Sequence, residues 1–468
     1  MASARGYLLI ATSMLALAGC QATNFADVKE NIPLNSGATK QTDLDVPENA
    51  PAKASLLSVS DLIGTASANV NPDAGFITAL RTAIKNDPSV IAASHELAAR
   101  RAAVRSTASG KDFNFDATVL GGIEDVTDKT AGVATILRAN RIVFDGGQLD
   151  AKIEADNFAV KAAVSALQAR QNERGLRLIN SWIELESYRA LQGLIDSRLA
   201  ILDPLLLQLE KVAQSGLGDV SQVASAQRTV SLIRVTQTDV AEKLALAEVA
   251  FKNGFGGLPS KVVYDANLIS KSLPSASVNK LAERAPALLA EYYAYRSAEA
   301  NVVALEASDN FNVAFEAKLQ RPFADSTYDS DESVGLVLTK KFYRGDQLAA
   351  RVENAEAAAA AQADRMRSIY REGEQAINSA RQMIKSMDAA VQLALKNAQI
   401  TRDEIDYLRK QLVIGGSTLE SVLSAEARLY DAEAKEIGFI AERRKAEVTI
   451  LASTGELARM IGLDTPGN

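Results

Sequence analysis

Apolar and polar residues alternate along four short stretches of the chain, and each pair of stretches leads into a much longer segment with helical character. The clearest alternation lies in 311–320, where Phe311, Val313 and Phe315 are separated by mostly polar residues. A period of two residues predicts strands with one apolar and one polar face. Weaker examples begin at Phe113 and run over about 132–144 and 334–342.

Helix-forming residues fill two exceptionally long segments, 147–214 and 346–414. At a rise of 1.5 Å per residue, each segment predicts a helix about 100 Å long, far beyond the usual globular length. Pro204 predicts a kink near the end of the first helix. A glycine-containing turn and a shorter returning helix, over about 219–253 or 417–455, follow each long helix.

The chain repeats itself at an offset of about 198 to 199 residues. Phe113-Asn114 returns as Phe311-Asn312, and Pro88 returns as Pro286. The glycines that follow the strands and the long helices return at the same offset. Ordered matches at one long period indicate a duplicated half and not a solenoid. We therefore expect two structural repeats, 76–277 and 278–460, each with a leading helix, two strands and a long helical hairpin.

The returning helices are only half as long as the long helices, so the leading helices must complete each pair. By length, 219–253 stacked end to end on 278–308 matches one long helix, and 417–455 stacked on 76–108 matches the other. We expect this stacking. The glycine-rich segment 253–259 is then a break at mid-height.

This pattern predicts a mainly α fold with a small β part: long antiparallel helical hairpins and four strands. Polar loops, 121–131 and 321–332, connect the strands, and each strand is near the roughly 9 to 11 residues that cross a bilayer when tilted. A membrane barrel is favoured over the alternative, a small soluble sheet. Because four strands cannot close a barrel and lipid does not tolerate open strand edges, several chains must share one barrel.

The N-terminal residues 1–19 have the features of an export signal: Arg5 precedes a short apolar run that ends at Leu17. Leu17-Ala18-Gly19-Cys20 resembles a bacterial lipobox, which implies a lipidated Cys20, and the resemblance to lipoproteins implies sorting to the outer membrane because Gln21, and not Asp, follows the cysteine. A plain buried thiol is the alternative. Residues 20–75 are rich in Asn, Asp, Ser, Thr and Pro and are expected to form a flexible tether, and 461–468 to form a C-terminal tail.

Charge and composition argue against nucleic-acid binding and catalysis. The net charge is −7, from 51 Lys and Arg against 58 Asp and Glu, and no basic cluster stands out. The single histidine, His95, has no cysteine or histidine partner for a metal site or a catalytic triad. Phosphate-binding glycine motifs are also missing from suitable positions. We expect neither an enzyme nor a cofactor.

Two glycine-containing junctions between strand and helix carry a family resemblance: Phe144-Asp145-Gly146-Gly147-Gln148 and its echo Tyr343-Arg344-Gly345-Asp346-Gln347. With the segments 216–227 and 415–426, they resemble the TolC-like outer-membrane efflux family over about 75–460. The resemblance implies a homotrimer whose twelve-stranded transmembrane β-barrel continues into the periplasm as a coiled-coil helical tunnel. Glu316, Lys318 and Lys341 would face its wet lumen.

The same resemblance implies a passive duct of a tripartite efflux or type I secretion system, anchored in outer-membrane lipid. Its partners would be a periplasmic adaptor (membrane fusion) protein and an inner-membrane pump or ABC transporter. A proton-driven pump would mean small-molecule efflux, and an ATP-driven transporter would suggest protein secretion. The lipid anchor weakly favours small-molecule efflux, because many drug-efflux members of the family carry one. The alternative function is a periplasmic adaptor or scaffold lipoprotein with long helical hairpins.

The resemblance places adaptor docking at the two periplasmic tips, for which a plain structural turn is the alternative; the tips comprise Gly216, Leu217, Gly218, Asp219, Gly415, Gly416, Ser417 and Thr418. Asp219 or Ser417 is expected to cap a returning helix. Family members often gate the entrance with acidic residues and an arginine beyond the second tip, whereas serines occupy the matching positions here. The candidate gate comprises Glu420, Ser421, Ser424 and Glu426.

Overall fold

The computed structural model describes residues 70–125, 130–216, 219–323, 326–342 and 345–463, and side chains in 123–131 are not discussed. All of these residues belong to one compact unit, 64–468. The predicted signal peptide, Cys20 and nearly all of the tether lie outside the described residues. So do Leu217 and Gly218 of the first tip, Tyr343-Arg344 of the second junction, and most of the predicted tail.

Ten α-helices and four strands make up the described part of the chain. In chain order they are α1 Phe76–Lys85, α2 Pro88–Ala108, β1 Asn114–Asp125, β2 Thr130–Phe144, α3 Gln148–Gln214, α4 Val220–Phe255, α5 Ala266–Lys271, α6 Val278–Ala282, α7 Pro286–Ala307, β3 Asn312–Pro322, β4 Asp331–Thr339, α8 Gln347–Val413, α9 Leu419–Thr454 and α10 Glu456–Ile461. The mainly α class with four antiparallel strands is confirmed.

The long helices α3 and α8 are each 67 residues long, as their composition predicts. Neither is interrupted, and α3 remains helical through Pro204. The kink predicted there stays a prediction. A helix of this length spans about 100 Å, so α3 and α8 set the long dimension of the helical part.

The leading helices are broken, contrary to the continuous helices expected over 76–108 and 278–308. Proline is the cause, because its ring fixes φ and it lacks an N–H, so it fits the first turn of a helix and not the interior. Pro88 starts α2 and Pro286 starts α7. The Asp87 side chain accepts a hydrogen bond from Ser89 N at 2.9 Å and caps α2.

The four strands form one antiparallel sheet in the order β1-β2-β3-β4. In its register Ala117 lies opposite Leu137, Leu137 opposite Leu319, and Ala317 opposite Val334. The strands run further than the sequence indicates at the end away from the helices. The predicted loops 121–131 and 321–332 are therefore shorter than expected, because β1 continues to Asp125 and β4 begins at Asp331.

The predicted end-to-end stacking of the helices was wrong in its pairing. α3 packs against α4 in its tip half and α2 in its sheet half, and α9 and α7 pack between α3 and α8. Gly254 of α4 faces Leu178, and Asp87, the cap of α2, pairs with Arg174 only one turn away along α3. At the other junction, Gly455 after α9 meets the ring of Pro286.

Thus α2 stacks on α4 and α7 stacks on α9, where the sequence analysis had paired α4 with α7 and α9 with α2. Length could not distinguish the two arrangements, because both leading helices are nearly equally long. The stacking observed joins two helices of the same repeat in each case and passes through two mid-height breaks. The segment 253–259 lies at one of these breaks, as expected.

The largest apolar core lies at mid-height, where the stacked helices meet. Trp182 of α3 contacts Phe76, Phe251 and Phe255, with ring centroids 5.1 to 5.3 Å apart. Tyr264 adds an edge contact to Phe76 at 5.5 Å. Residues from α1, α3, α4, α5, α9 and α10 all enter this core. It joins the two repeats at the level where the shorter helices are interrupted.

Candidate conduit: a two-faced sheet and two helical tips

The sheet has one apolar and one polar face, which confirms the alternation predicted from sequence. Strand register places most of the apolar residues of the four strands on one face, comprising Phe115, Ala117, Val119, Leu137, Ala139, Phe315, Ala317, Leu319, Val334, Leu336 and Leu338. Val334 and Phe115 are each 75% exposed. Such a large uncovered apolar face indicates contact with lipid or with another molecule.

The opposite face carries ion pairs between neighbouring strands. Arg138 lies 3.8 Å from Asp116, and Lys318 lies 2.9 Å from Asp331. Glu316 shares this face, as predicted. Lys341 does not belong to it, because β4 ends at Thr339. Phe342, expected within the strand, also lies beyond it.

Aromatic rings gather on the apolar face where the strands meet the helices. Phe113 lies 5.8 Å from Phe315 and 6.0 Å from Phe115, and Phe144 lies 5.0 Å from Phe311, between ring centroids. Aromatic side chains with this placement mark the water boundary of membrane barrels. The sequence analysis missed this group, although the phenylalanines at the strand starts were its visible signal.

The strand-to-helix junctions require glycine at the predicted positions. Gly146 has φ +69° and an added Cβ would lie 2.3 Å from Asn310, and Gly147 has φ +87°. Gly345 has φ +58°. The Asp145 carboxylate accepts hydrogen bonds from Gly147 N and Leu149 N at 3.0 and 2.7 Å. This turn redirects the chain from strand to helix within a few residues.

At the first tip, α3 ends and α4 begins within a few residues. Gly216 has φ +78°, and its N–H donates to Ala213 O at 3.0 Å. Asp219 caps α4 by accepting from Ser221 N at 2.8 Å, as predicted. The hydrogen bonds from Ser221 lower the pKa of the Asp219 carboxyl.

At the second tip, Gly415 has φ +79° and the N–H of Gly416 donates to Gln411 O at 2.9 Å. The cap of α9 is Thr418, whose hydroxyl accepts from Ser421 N at 3.1 Å, and not Ser417. The Ser417 hydroxyl instead donates back to Leu408 O at 3.1 Å. The Ser417 side chain thereby ties the turn to α8, and the next residue caps α9.

The candidate gate residues occupy two different environments. Glu420 accepts hydrogen bonds from Ser225 of α4 and Ser424, at 3.2 and 3.1 Å. The Ser421 hydroxyl lies 2.9 Å from that of Thr418 and supports the cap. These contacts keep Glu420 and both serines at the level of the tips.

Glu426 lies deeper and forms the centre of an ion-pair network. Its carboxylate, 3% exposed, lies 2.7 Å from both Arg198 of α3 and Arg409 of α8. One further heptad along α9, Glu433 pairs with Arg198 at 2.6 Å and Arg402 at 2.7 Å. α9 is thus joined by charge to both long helices near the tips.

Of this network, the sequence analysis found only Glu426. A signal was present, since Glu426 and Glu433 are seven residues apart on one helix, and Arg402 and Arg409 are seven apart on another. Side chains separated by seven residues lie on the same helical face. The sequence does not show that α9 lies between α3 and α8, because that arrangement depends on how the helices stack.

A second polar cluster lines the mid-height core. Arg444 lies 2.6 Å from Glu186 and its guanidinium lies 4.7 Å from the Tyr264 ring centroid. Burial raises the pKa of Glu186, and it likewise raises the pKa of Glu447 although Arg443 opposes that shift. Burial also raises the pKa of Tyr264.

No helix in the described parts of the chain is both long and apolar enough to cross a membrane. His95 lies exposed on α2. Within the same described residues, His, Cys, Asp and Glu side chains form no group suited to holding a metal ion.

Comparison with known proteins gives a family and a fold. Residues 277–456 match the family model described as outer membrane efflux protein. No curated protein matches the sequence significantly. The match covers most of the second repeat and includes the second junction, α8, the second tip and α9.

Several solved structures resemble the described body along nearly their whole length. Outer membrane protein VceC from Vibrio cholerae is 17% identical, with a TM-score of 0.69 over 81% of this chain and 96% of that one. The CmeC outer membrane channel of Campylobacter jejuni is 11% identical, with a TM-score of 0.69 over 94% and 96%. The MtrE outer membrane channel of Neisseria gonorrhoeae, in its open state, is 14% identical, with a TM-score of 0.68 over 81% and 88%.

The described body combines a sheet that has one apolar and one charged face with two 67-residue helices that end in glycine turns. This combination is the outer-membrane channel fold shared by these proteins. The family match lies in the second repeat, at residues 277–456, and the fold of the whole described body is similar to that of these channels. The alternative function, a periplasmic adaptor, is not supported.

Proposed function

We propose that this chain is one subunit of a trimeric exit duct, which carries cargo passively from the periplasm through the outer membrane. One observation carries the proposal: a four-stranded sheet, apolar on one face and charged on the other, continues into two helices of 67 residues. The apolar face lies against lipid and the charged face lines a water-filled lumen. The long helices extend the lumen as a tunnel.

The sheet cannot serve this function alone, which supports oligomerisation. Among the described residues, β1 and β4 each pair with only one neighbour. Lipid offers no hydrogen bonds to open strand edges, and four strands are too few for a barrel. Three copies give the twelve strands that the family resemblance implies, with β1 of one copy beside β4 of the next.

The helical part offers matching edges for neighbouring copies. In the tip half, α4 and α8 lie at the two sides of the helical layer. On α8, Leu393, Ile400 and Tyr407 recur every seven residues and are 55 to 69% exposed. On α4, Leu232 and Leu246 are 62 and 63% exposed. Heptad spacing is the pattern of helices that pack side by side in coiled coils, so these stripes fit an α4-to-α8 contact between copies.

The tips, in this proposal, dock a periplasmic adaptor and open the entrance. Val413 and Ile414, at the second tip, are 86 and 80% exposed and offer an adaptor an apolar contact. Opening requires the hairpins to separate near their tips, where Glu426 pairs with Arg198 and Arg409. Glu420, Ser421 and Ser424 form the outer part of the same gate.

The remaining parts complete the duct. A signal peptide directs export, and a lipid on Cys20 with the following tether anchors each subunit to the outer membrane. Energy comes from an inner-membrane pump or ABC transporter, because the duct itself performs no chemistry. Cargo is small molecules in a tripartite efflux system, with protein secretion through a type I system as the second candidate.

In-cell photo-cross-linking tests tip docking directly. A photoreactive amino acid at Ile414 of the full-length chain should capture a periplasmic adaptor, identified by mass spectrometry. The same group at Arg101 of α2, exposed but in the sheet half, is the control and should not capture the adaptor. A pump partner recovered with the adaptor supports small-molecule efflux, and an ABC transporter supports secretion. No envelope transport protein at Ile414 would contradict tip docking.

A further inference from the structure

The two repeats differ in charge at one equivalent position, at the helix end of the sheet. In the second repeat, the Lys340 ammonium donates to Asp309 O and lies 3.4 Å from the Asp309 carboxylate. In the first repeat, Arg141 Nε donates to Lys111 O at 3.0 Å. By the repeat offset, Arg141 is equivalent to Lys340, and Lys111 is equivalent to Asp309. The backbone contact is duplicated, but the carboxylate that neutralises the cation is replaced by a lysine.

Arg141 consequently keeps an uncompensated charge. The Lys111 side chain cannot neutralise Arg141, because it is itself a cation, and it pairs with Asp150. Within the described chain, no carboxylate forms an ion pair with Arg141. Its guanidinium lies 5.2 Å from the centroid of the Phe113 ring, a cation-π contact that fixes its position. Arg141 Nε donates to the Lys111 carbonyl, and among the described residues neither terminal nitrogen donates a hydrogen bond, so both can donate to a ligand.

The position of Arg141 indicates what it meets. It lies opposite Phe315 in the register, on the apolar face and among the exposed phenylalanines at the helix end of the sheet. β2 runs between β1 and β3 of the same chain, so pairing with neighbouring copies at the sheet edges leaves Arg141 uncovered. A charged side chain at this boundary extends to the level of the lipid headgroups.

We propose that Arg141 binds the phosphate of an acidic phospholipid in the periplasmic leaflet, with Phe113 and Lys111 O orienting its guanidinium. This inference rests on the proposed membrane barrel. Guanidinium matches phosphate because two parallel N–H groups donate to two phosphate oxygens. The surrounding phenylalanines contact the upper part of the acyl chains. The Lys340 position binds no such lipid, because Asp309 already neutralises it.

Native mass spectrometry of the full-length protein in non-ionic detergent tests the site, with phosphatidylglycerol as the probe. Arg141→Gln should weaken phosphatidylglycerol binding about tenfold, the loss expected for one charge-assisted contact. Lys111→Asp rebuilds the arrangement of the second repeat and should weaken binding similarly without touching Arg141. The matched control, Lys340→Gln, should bind as the unchanged protein does, and Arg141→Lys should retain part of the binding.

Insertion into phosphatidylcholine vesicles, measured on the same preparations, separates two kinds of failure. If the unchanged protein inserts and both Arg141→Gln and Lys111→Asp bind phosphatidylglycerol as tightly as it does, the lipid site is wrong and the duct stands. If the unchanged protein does not insert, the proposed duct fails and the lipid site fails with it. Equal weakening by Lys340→Gln would show nonspecific charge attraction and would overturn the assignment to Arg141.

Discussion

The long helices are joined in different ways at mid-height and near the tips. At mid-height, Trp182 and its neighbouring rings are buried in one core shared by both repeats. Near the tips, each hairpin has an apolar seam of its own. There α9 is joined to α3 by Leu423 and Tyr430 but also by ion pairs to Arg198.

This difference suggests which joint is permanent and which one opens. Separating an aromatic core exposes a large apolar area to water, whereas charged groups that separate are partly compensated by hydration. We therefore expect the mid-height core to stay together while the tip region moves.

Truncating the mid-height core should have the largest effect. Trp182→Ala should reduce the free energy of unfolding by about 3–5 kcal/mol, because it removes a fully packed ring and leaves a cavity. Denaturant unfolding of the full-length protein measures the loss. Trp182→Phe keeps most of the apolar volume and should cost clearly less. Equal losses for both variants would contradict the packing account.

Neutralising the centre of the tip network should cost less and should also change function. Glu426→Gln leaves Arg198 and Arg409 without their shared carboxylate and should cost about 3 kcal/mol, moderated because Arg409 is half exposed. Conductance of the reconstituted channel should rise. Glu404→Gln breaks an exposed pair with Arg428 and is the matched control. An unchanged conductance would show that the network does not hold the entrance.

Adding one methyl group where α9 meets α7 should strain the stacking. Gly455 has φ +80°, and an added Cβ would lie 2.6 Å from the Pro286 ring. Gly455→Ala should therefore cost about 2 kcal/mol in unfolding free energy. Gly438→Ala, inside α9 with open space around it, should instead be neutral or stabilising. Similar results for both would contradict the observed stacking.

Removing the cap of α9 should have a local effect. Thr418→Ala deletes the hydroxyl that accepts from Ser421 N and should cost about 1 kcal/mol. Thr418→Ser keeps the hydroxyl and serves as the control. Hydrogen exchange should become faster in the first turn of α9 for the alanine variant only. Equal protection from hydrogen exchange in both variants would show that the Thr418 hydroxyl does not cap α9.

Acidification should give the smallest effect, a modest stabilisation of the mid-height joint. Burial raises the pKa of Glu447, with Arg443 opposing and Asp388 adding to the shift. The folded protein therefore binds a proton at a higher pH than the unfolded chain, and this contribution to stability grows as pH falls from neutral towards the ordinary carboxyl range. Denaturation midpoints across pH should show a weaker increase for Glu447→Gln. An identical pH dependence would contradict the shift.

Much of this fold could be predicted because it depends on local pattern. The bounds of α3, α4, α8 and α9 fall within a few residues of those read from helix formers and glycine turns. Strand faces followed from alternation, since a period of two has only one geometric meaning. Pro88 and Pro286 were recognised as equivalent, but the break that each makes in its leading helix was missed.

Features that depend on the tertiary arrangement could not be predicted from the local sequence pattern. Helix length permitted two stacking orders, and the contact between Gly455 and Pro286 distinguishes them only in three dimensions. The network around Glu426 needs α9 to lie between α3 and α8, so the heptad spacing alone could not assign its arginines to their partners. Thr418 and Ser417 are both good caps in sequence, and only backbone geometry selects one.

Conductance in a planar lipid bilayer shows whether the assembled subunits enclose a continuous lumen that is gated at the tips. The full-length protein and its Glu426→Gln variant, once inserted, should each carry ionic current in discrete steps, with larger steps for the variant because its entrance is released. Discrete current with that order would support a duct gated at its tips. Folded, membrane-inserted protein that carries no current in either form would contradict the existence of a continuous lumen.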